Sequence, residues 1–90
     1  MRRTVYDDYW VIVLKEVVNN PMQRGITYAK PLGIPHGRVT HVLIRLKQDG
    51  YIAYYDYKFT NQYGDQPTQR HYYPLERGIA IVKMIYAKTN

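Results

Sequence analysis

The 90-residue chain contains no cysteine and no serine. The missing cysteine excludes disulfide scaffolds, thiolate metal sites and cysteine redox sensing. Both absences together remove the serine and cysteine nucleophiles of covalent catalysis. Long apolar runs are missing as well: the longest, Tyr9 to Leu14, falls far short of a membrane span. Acidic residues are scarce, 7 against 13 Lys and Arg, for a net charge of +6. No signal-peptide core follows Met1-Arg2-Arg3-Thr4, because Asp7 and Asp8 come at once. These absences predict a cytoplasmic protein with no membrane partner.

No catalytic constellation is visible either. Asp7 and Asp8 are adjacent, so they diverge on a helix and serve better as caps than as an acid/base pair. There is no nucleophile elbow, phosphate-cradling loop or HExxH motif. His36 and His41 are out of phase for one helical face, and no Cys or nearby carboxylate completes a metal site. The chain reads as a non-enzyme that needs no cofactor and no metal.

What is present is globular. The chain is 46% apolar and 22% charged, a balance that favours folding over disorder. Its length allows one domain, residues 1–90. A chain this short buries only about two-thirds of its unfolded surface, so dimerisation is a natural remedy for marginal stability. The positive charge suggests a polyanionic partner, most often nucleic acid; a merely basic protein is the bland alternative. The 11 tyrosines read mostly as packing, although phenols also bond phosphates and stack on bases. Small size, no cysteine and abundant Tyr and Ile suit a hot-environment archaeon, virus or plasmid; the expected location is the cytoplasm, associated with the nucleoid, or the host cytoplasm if viral.

No internal repeat or low-complexity segment interrupts the chain. Trp10, Val13, Leu14 and Val17 recur at helical spacing, with Asp7 or Asp8 as cap and Asn19-Asn20-Pro21 as the stop. Val11, Ile12 and Val18 lie off that stripe and imply a second partner surface. Met22 to Ile26 reads as a loop. Thr27 is then the cap of a short helix, Tyr28 to Leu32, with Pro31 early in it and Lys30 pushed from helical dihedrals. Gly33 permits a tight turn.

The clearest element is a helix over 36–49, with Val39, Val42, Leu43 and Leu46 on one stripe and Gly50 as its stop. Two strands, Tyr51 to Phe59 and Gln69 to Leu75, flank a turn-forming stretch and predict a β-hairpin. Pro74 belongs where no ladder N–H is needed, at an edge. A final helix, Glu76 to Lys88, is apolar on nearly every face, which predicts a subunit interface. The candidate interface residues are Val11, Ile12, Val18, Ile81, Met84 and Ile85.

Helix, short helix, turn, helix, hairpin, helix is the element order of an α+β winged helix-turn-helix. The resemblance becomes specific at Ala29-Lys30-Pro31-Leu32-Gly33-Ile34, with a small residue four before the turn glycine and Val39 six after it. Leu32 to Leu43 looks like the turn and recognition helix. Tyr73-Pro74-Leu75-Glu76-Arg77-Gly78 is similar to the wing-closing segment of MarR- and PadR-type transcriptional regulators. The likeness covers about Thr27 to Gly78. Pro35 where the family favours a Ser or Thr cap, Glu76 in place of Thr, and Pro31 within the positioning helix depart from its pattern.

This resemblance implies double-stranded DNA as partner, bound by a homodimer at a pseudo-palindromic site, most simply for repression. Base-reading positions near the start of the recognition helix are His36, Gly37, Arg38, Thr40 and His41. Arg38 can bond guanine, or be a solvated charge. Both histidines are of a type that charges in mild acid, which would strengthen DNA binding. Ile44 either meets a thymine methyl or is a single exposed apolar residue, the commoner case. Thr27, Tyr28 and Lys30 are placed to hold phosphate, as are Arg45 and Lys47 unless merely solvated. Lys58, Asn61, Gln62, Tyr63, Gln69 and Arg70 make the wing a second arm along the DNA, or an ordinary solvated loop.

Two rival functions remain at this stage. One is a winged helix used for protein–protein assembly. The other is RNA or single-strand binding through the tyrosine-rich hairpin, which Tyr54 or Tyr72 substitution would abolish and Arg38→Ala would spare.

Overall fold

A computed structural model describes residues 9–87. Helix α1, Trp10–Asn19, buries Val13, Leu14 and Val17 on one stripe, as their spacing requires. The residue before it is Tyr9, whose side chain makes no capping bond. The expected caps Asp7 and Asp8 lie outside the described residues.

Helix α2 runs Gly25–Leu32, longer than expected. It starts not at a Thr27 cap but after Arg24, whose carbonyl accepts from the Thr27 and Tyr28 amides at 3.0 and 3.3 Å. These backbone bonds set the start without any side-chain cap, and Gly25 is buried against α3, where a Cβ would make ordinary contact with Leu43 Cδ1 at 3.4 Å. Pro31 therefore falls in the last turn, and Lys30 stays helical. The turn that follows is as expected. Gly33 takes φ +66°, its amide donates to Lys30 O at 3.3 Å, and Ile34 N reaches back to Ala29 O at 3.4 Å.

Helix α3, His36–Gln48, buries Val39, Val42, Leu43 and Leu46. Pro35 precedes it, and its carbonyl takes the Arg38 and Val39 amides. Strands β1, Ile52–Lys58, and β2, Thr68–Pro74, form an antiparallel hairpin with Ile52 opposite Pro74 and Tyr54 opposite Tyr72. The stretch from Met22 is not all loop: Gln23 bridges Tyr72 on the other side of β2. Met22 N donates to Tyr72 O at 2.7 Å and Tyr72 N to Gln23 O at 3.0 Å. The polar backbone groups of Tyr72 thus point away from β1, and strand alternation aims the nitrogen of Pro74 the same way. Past the Gln23 bridge no ladder partner is needed, which is why proline fits there.

Helix α4, Glu76–Ala87, closes the unit by crossing under the strand entry. Gly78 makes this possible, because a Cβ on it would collide with the carbonyl oxygen of Tyr51. One core joins α1, α2, α3, the base of the hairpin and Val82 of α4.

Candidate nucleic-acid interface

The buried stripe of α3 defines its opposite face. At about 100° per residue, the positions farthest from the core are Gly37, His41, Ile44 and Gln48. All four are exposed. This strip carries no Lys, Arg, Asp or Glu. Cations lie on both of its flanks. Arg38 and Arg45 occupy the side toward α1, and the Arg38 guanidinium lies 5.7 Å from the ring centre of Tyr9. Arg45 is half-buried, and its Nε is buried without a hydrogen-bond partner. Lys47 occupies the side toward the hairpin, 5.3 Å from the ring centre of Tyr54.

Of the five predicted base-reading residues, Gly37 and His41 therefore share the outward strip. His36 and Thr40 instead turn toward the hairpin. They line a cleft of about 490 Å³ with Arg24, Gln69 and Arg70. Arg24 was not singled out from sequence, because nothing local marks it as the start of a helix. Its place on the cleft adds a cation to the same side of the molecule.

The predicted phosphate contacts of α2 separate. Thr27 and Lys30 are exposed, and both border a hollow beside Glu16 and Asn20. Tyr28 has to be withdrawn from the set. It is 1% exposed, and its hydroxyl donates to Asn20 O at 2.7 Å while accepting from the Gln23 amide at 3.4 Å. Burial pushes its phenol up to about 12. A side chain so enclosed cannot reach a phosphate.

The hairpin divides in the same way. At its tip Gln62 and Tyr63 are exposed, as is Lys58 at the end of β1. Asn61 is committed to the turn: its Oδ1 accepts from the Tyr63 and Asp65 amides at 2.9 and 3.1 Å. Arg70 lies 3.8 Å from the ring centre of Tyr54, and its Nε donates to Asp56 Oδ1 at 3.4 Å. The ring of Tyr54 thus has Arg70 of β2 against it and Lys47 of α3 nearby, the latter a contact between hairpin and helix. Gln69 Oε1 lies 3.3 Å from His71 Nε2.

The expected interface residues also separate. Val18 and Ile81 are half-buried against the core, and Val11 and Ile85 are half-buried. Lys15 of α1 sits over the ring of Tyr86, 4.4 Å from its centre, so α1 accounts for part of the apolar surface of α4. Ile12 and Met84 stay uncovered, at 42% and 56% exposure. Among the described residues no group of His, Asp or Glu side chains could hold a metal ion, and no helix is long and apolar enough to cross a membrane.

Two helices joined by a tight turn, then a β-hairpin docked beside the second helix, define a winged helix-turn-helix domain. No family model matches the sequence, and no curated protein resembles it in sequence. Solved structures do share the fold. The chain is similar to the transcriptional regulator SlyA, at 16% identity and TM-score 0.70 over 94% of this chain and 56% of that one. It is similar to FabT of Streptococcus pneumoniae, solved in complex with DNA, at 18% identity and TM-score 0.71 over 99% and 58%. A putative transcriptional regulator of Thermoplasma acidophilum matches at 21% identity and TM-score 0.62 over 89% and 82%. The chain spans little more than half the length of the first two. The architecture is thus the winged helix found in MarR-type regulators, as the Gly33 turn and the Tyr73–Gly78 segment led us to expect.

Proposed function

We propose that this protein is a sequence-specific, double-stranded DNA-binding transcription regulator that acts as a homodimer. The observation that carries the reading is the surface of α3: an outward strip without permanent charge, flanked by Arg38 and Arg45 on one side and Lys47 on the other. A major groove has that pattern in reverse, with base edges between two rows of phosphates. Arg24, Lys58 and Arg70 extend the positive surface along the hairpin side. Of the solved structures that share the fold, one is named a transcriptional regulator and another is in complex with DNA, and both support the same reading.

In this account α3 enters the major groove and the wing follows the flanking backbone or minor groove. Ile12 and Met84 supply the apolar surface through which two copies pair. A two-fold dimer then requires half-sites about one helical turn, roughly 10 bp, apart. Repression follows from occupying a promoter in the cytoplasm, with no chemical step and no cofactor. Single-strand binding on Tyr54 and Tyr72 has less support, since Tyr72 is buried and Tyr54 already carries Arg70.

The test is selection of preferred sites from random duplexes, with sedimentation of the protein alone and bound. An enriched inverted repeat occupied by two chains supports the reading. Binding without sequence preference would instead make the protein an architectural coat.

A further inference from the structure

We infer that Ile44 determines sequence specificity, by covering the 5-methyl group of a thymine in each half-site, while Arg38 holds a phosphate. This inference rests on the reading of α3 as the DNA-facing helix. Ile44 lies on the outward strip with Gly37 and His41, two helical turns from Gly37, and is 44% exposed. An isoleucine has no polar atom, so the only feature of a major-groove base edge that it complements is the thymine methyl. Gly37 has nothing within 4 Å of where a Cβ would stand, and no side chain to hold the helix away from the bases. The short reach of isoleucine is then enough. Arg38 is the obvious guanine reader by residue type, yet it stands about a quarter-turn from the outward direction. Its guanidinium rests by Tyr9, 5.7 Å from the ring centre, on the α1 flank. With Arg45 it forms an edge suited to one phosphate row, and Lys47 serves the other.

The experiment uses the preferred duplex of the wild-type protein and replaces each thymine in turn by deoxyuridine, which lacks only the methyl. Wild type, Ile44→Ala, Ile44→Val and Arg38→Ala are compared, each first checked for native circular dichroism. At one thymine per half-site, loss of the methyl should weaken wild type and Ile44→Val by about fourfold, the equivalent of one buried methyl. Ile44→Ala should not respond at that position. Arg38→Ala should weaken every duplex alike and lower the salt dependence of binding. If wild type prefers a sequence but wild type and Ile44→Ala respond equally at every thymine, the inference is overturned and the regulator reading stands. If wild type prefers no sequence, both fall.

Discussion

The hydroxyl of Tyr28, in α2, donates a 2.7 Å hydrogen bond to the carbonyl oxygen of Asn20, at the exit of α1. It also accepts from the amide of Gln23, next to the bridge that Gln23 makes with Tyr72. One phenol thus ties together the end of the first helix, the edge of the hairpin and the helix that supports α3. Tyr28→Phe keeps the ring and leaves the Asn20 carbonyl and Gln23 amide without this partner. We expect a loss of about 1–3 kcal/mol in chemical denaturation. DNA affinity should be unchanged under conditions where the variant is folded, because the residue touches no exposed surface.

The same burial makes stability sensitive to alkali. The Tyr28 phenol is raised from 10.0 to about 12 in the folded state, so the fold favours its neutral form. Its contribution is complete below pH 10 and is lost as pH rises toward 12, where the unfolded chain ionises first. The loss is on the order of 2 kcal/mol across that interval. Burial raises Tyr72 in the same direction. Denaturation midpoints measured between pH 8 and 12 should fall steeply above pH 10 in wild type. They should fall less steeply in Tyr28→Phe.

Two glycines predict opposite outcomes. A Cβ on Gly78 would meet the backbone oxygen of Tyr51, an atom that cannot turn aside. Gly78→Ala should therefore lower stability by about 1–3 kcal/mol or prevent folding, as overpacking does. A Cβ on Gly37 meets nothing within 4 Å. Gly37→Ala, within a helix, should raise stability by up to about 1 kcal/mol. In the DNA-binding account it should nonetheless weaken binding, since the added methyl projects toward the bases. Thermal melts and duplex titrations of the two variants separate these effects.

Ile12 and Met84 carry the prediction on assembly. If they form the pairing surface, Ile12→Asp and Met84→Asp place a charge where apolar surface is to be buried. Sedimentation equilibrium should then show monomers, with helix content unchanged by circular dichroism. DNA binding should lose its preference for an inverted repeat and keep a weaker preference for a half-site. Dimers that persist in both variants would place the interface elsewhere.

Where local signals agree, the fold is legible in the residues alone. The α3 stripe, the Gly33 turn, the two strands and the entry into α4 each follow from spacing or from one conformationally special residue. What was missed depends on contacts distant in sequence. The start of α2 carries no side-chain cap to announce it, and Gly25 there is buried only once α3 packs beside it. The bridge from Gln23 to Tyr72 is one long-range pair with no periodicity of its own. Tyr28 looks like a surface neighbour of Thr27 until the exit of α1 is folded over it. The Arg38 guanidinium lies beside Tyr9, at the entry to α1, a contact that spacing within α3 does not reveal. Residue type alone therefore marks Arg38 as the base reader, while the geometry turns Ile44 outward.

The central claim, duplex recognition through α3 and its cationic flanks, is tested most directly by fluorescence anisotropy on a labelled duplex. Binding should be measured in a series from about 50 to 200 mM salt, the range over which phosphate contacts are strongly titrated. The account predicts a linear fall of log affinity with log salt, with a slope reduced by about one for each of Arg38→Ala, Arg45→Ala and Lys47→Ala. Absence of duplex binding at the lowest salt would contradict it, and so would a slope that none of these three substitutions changes.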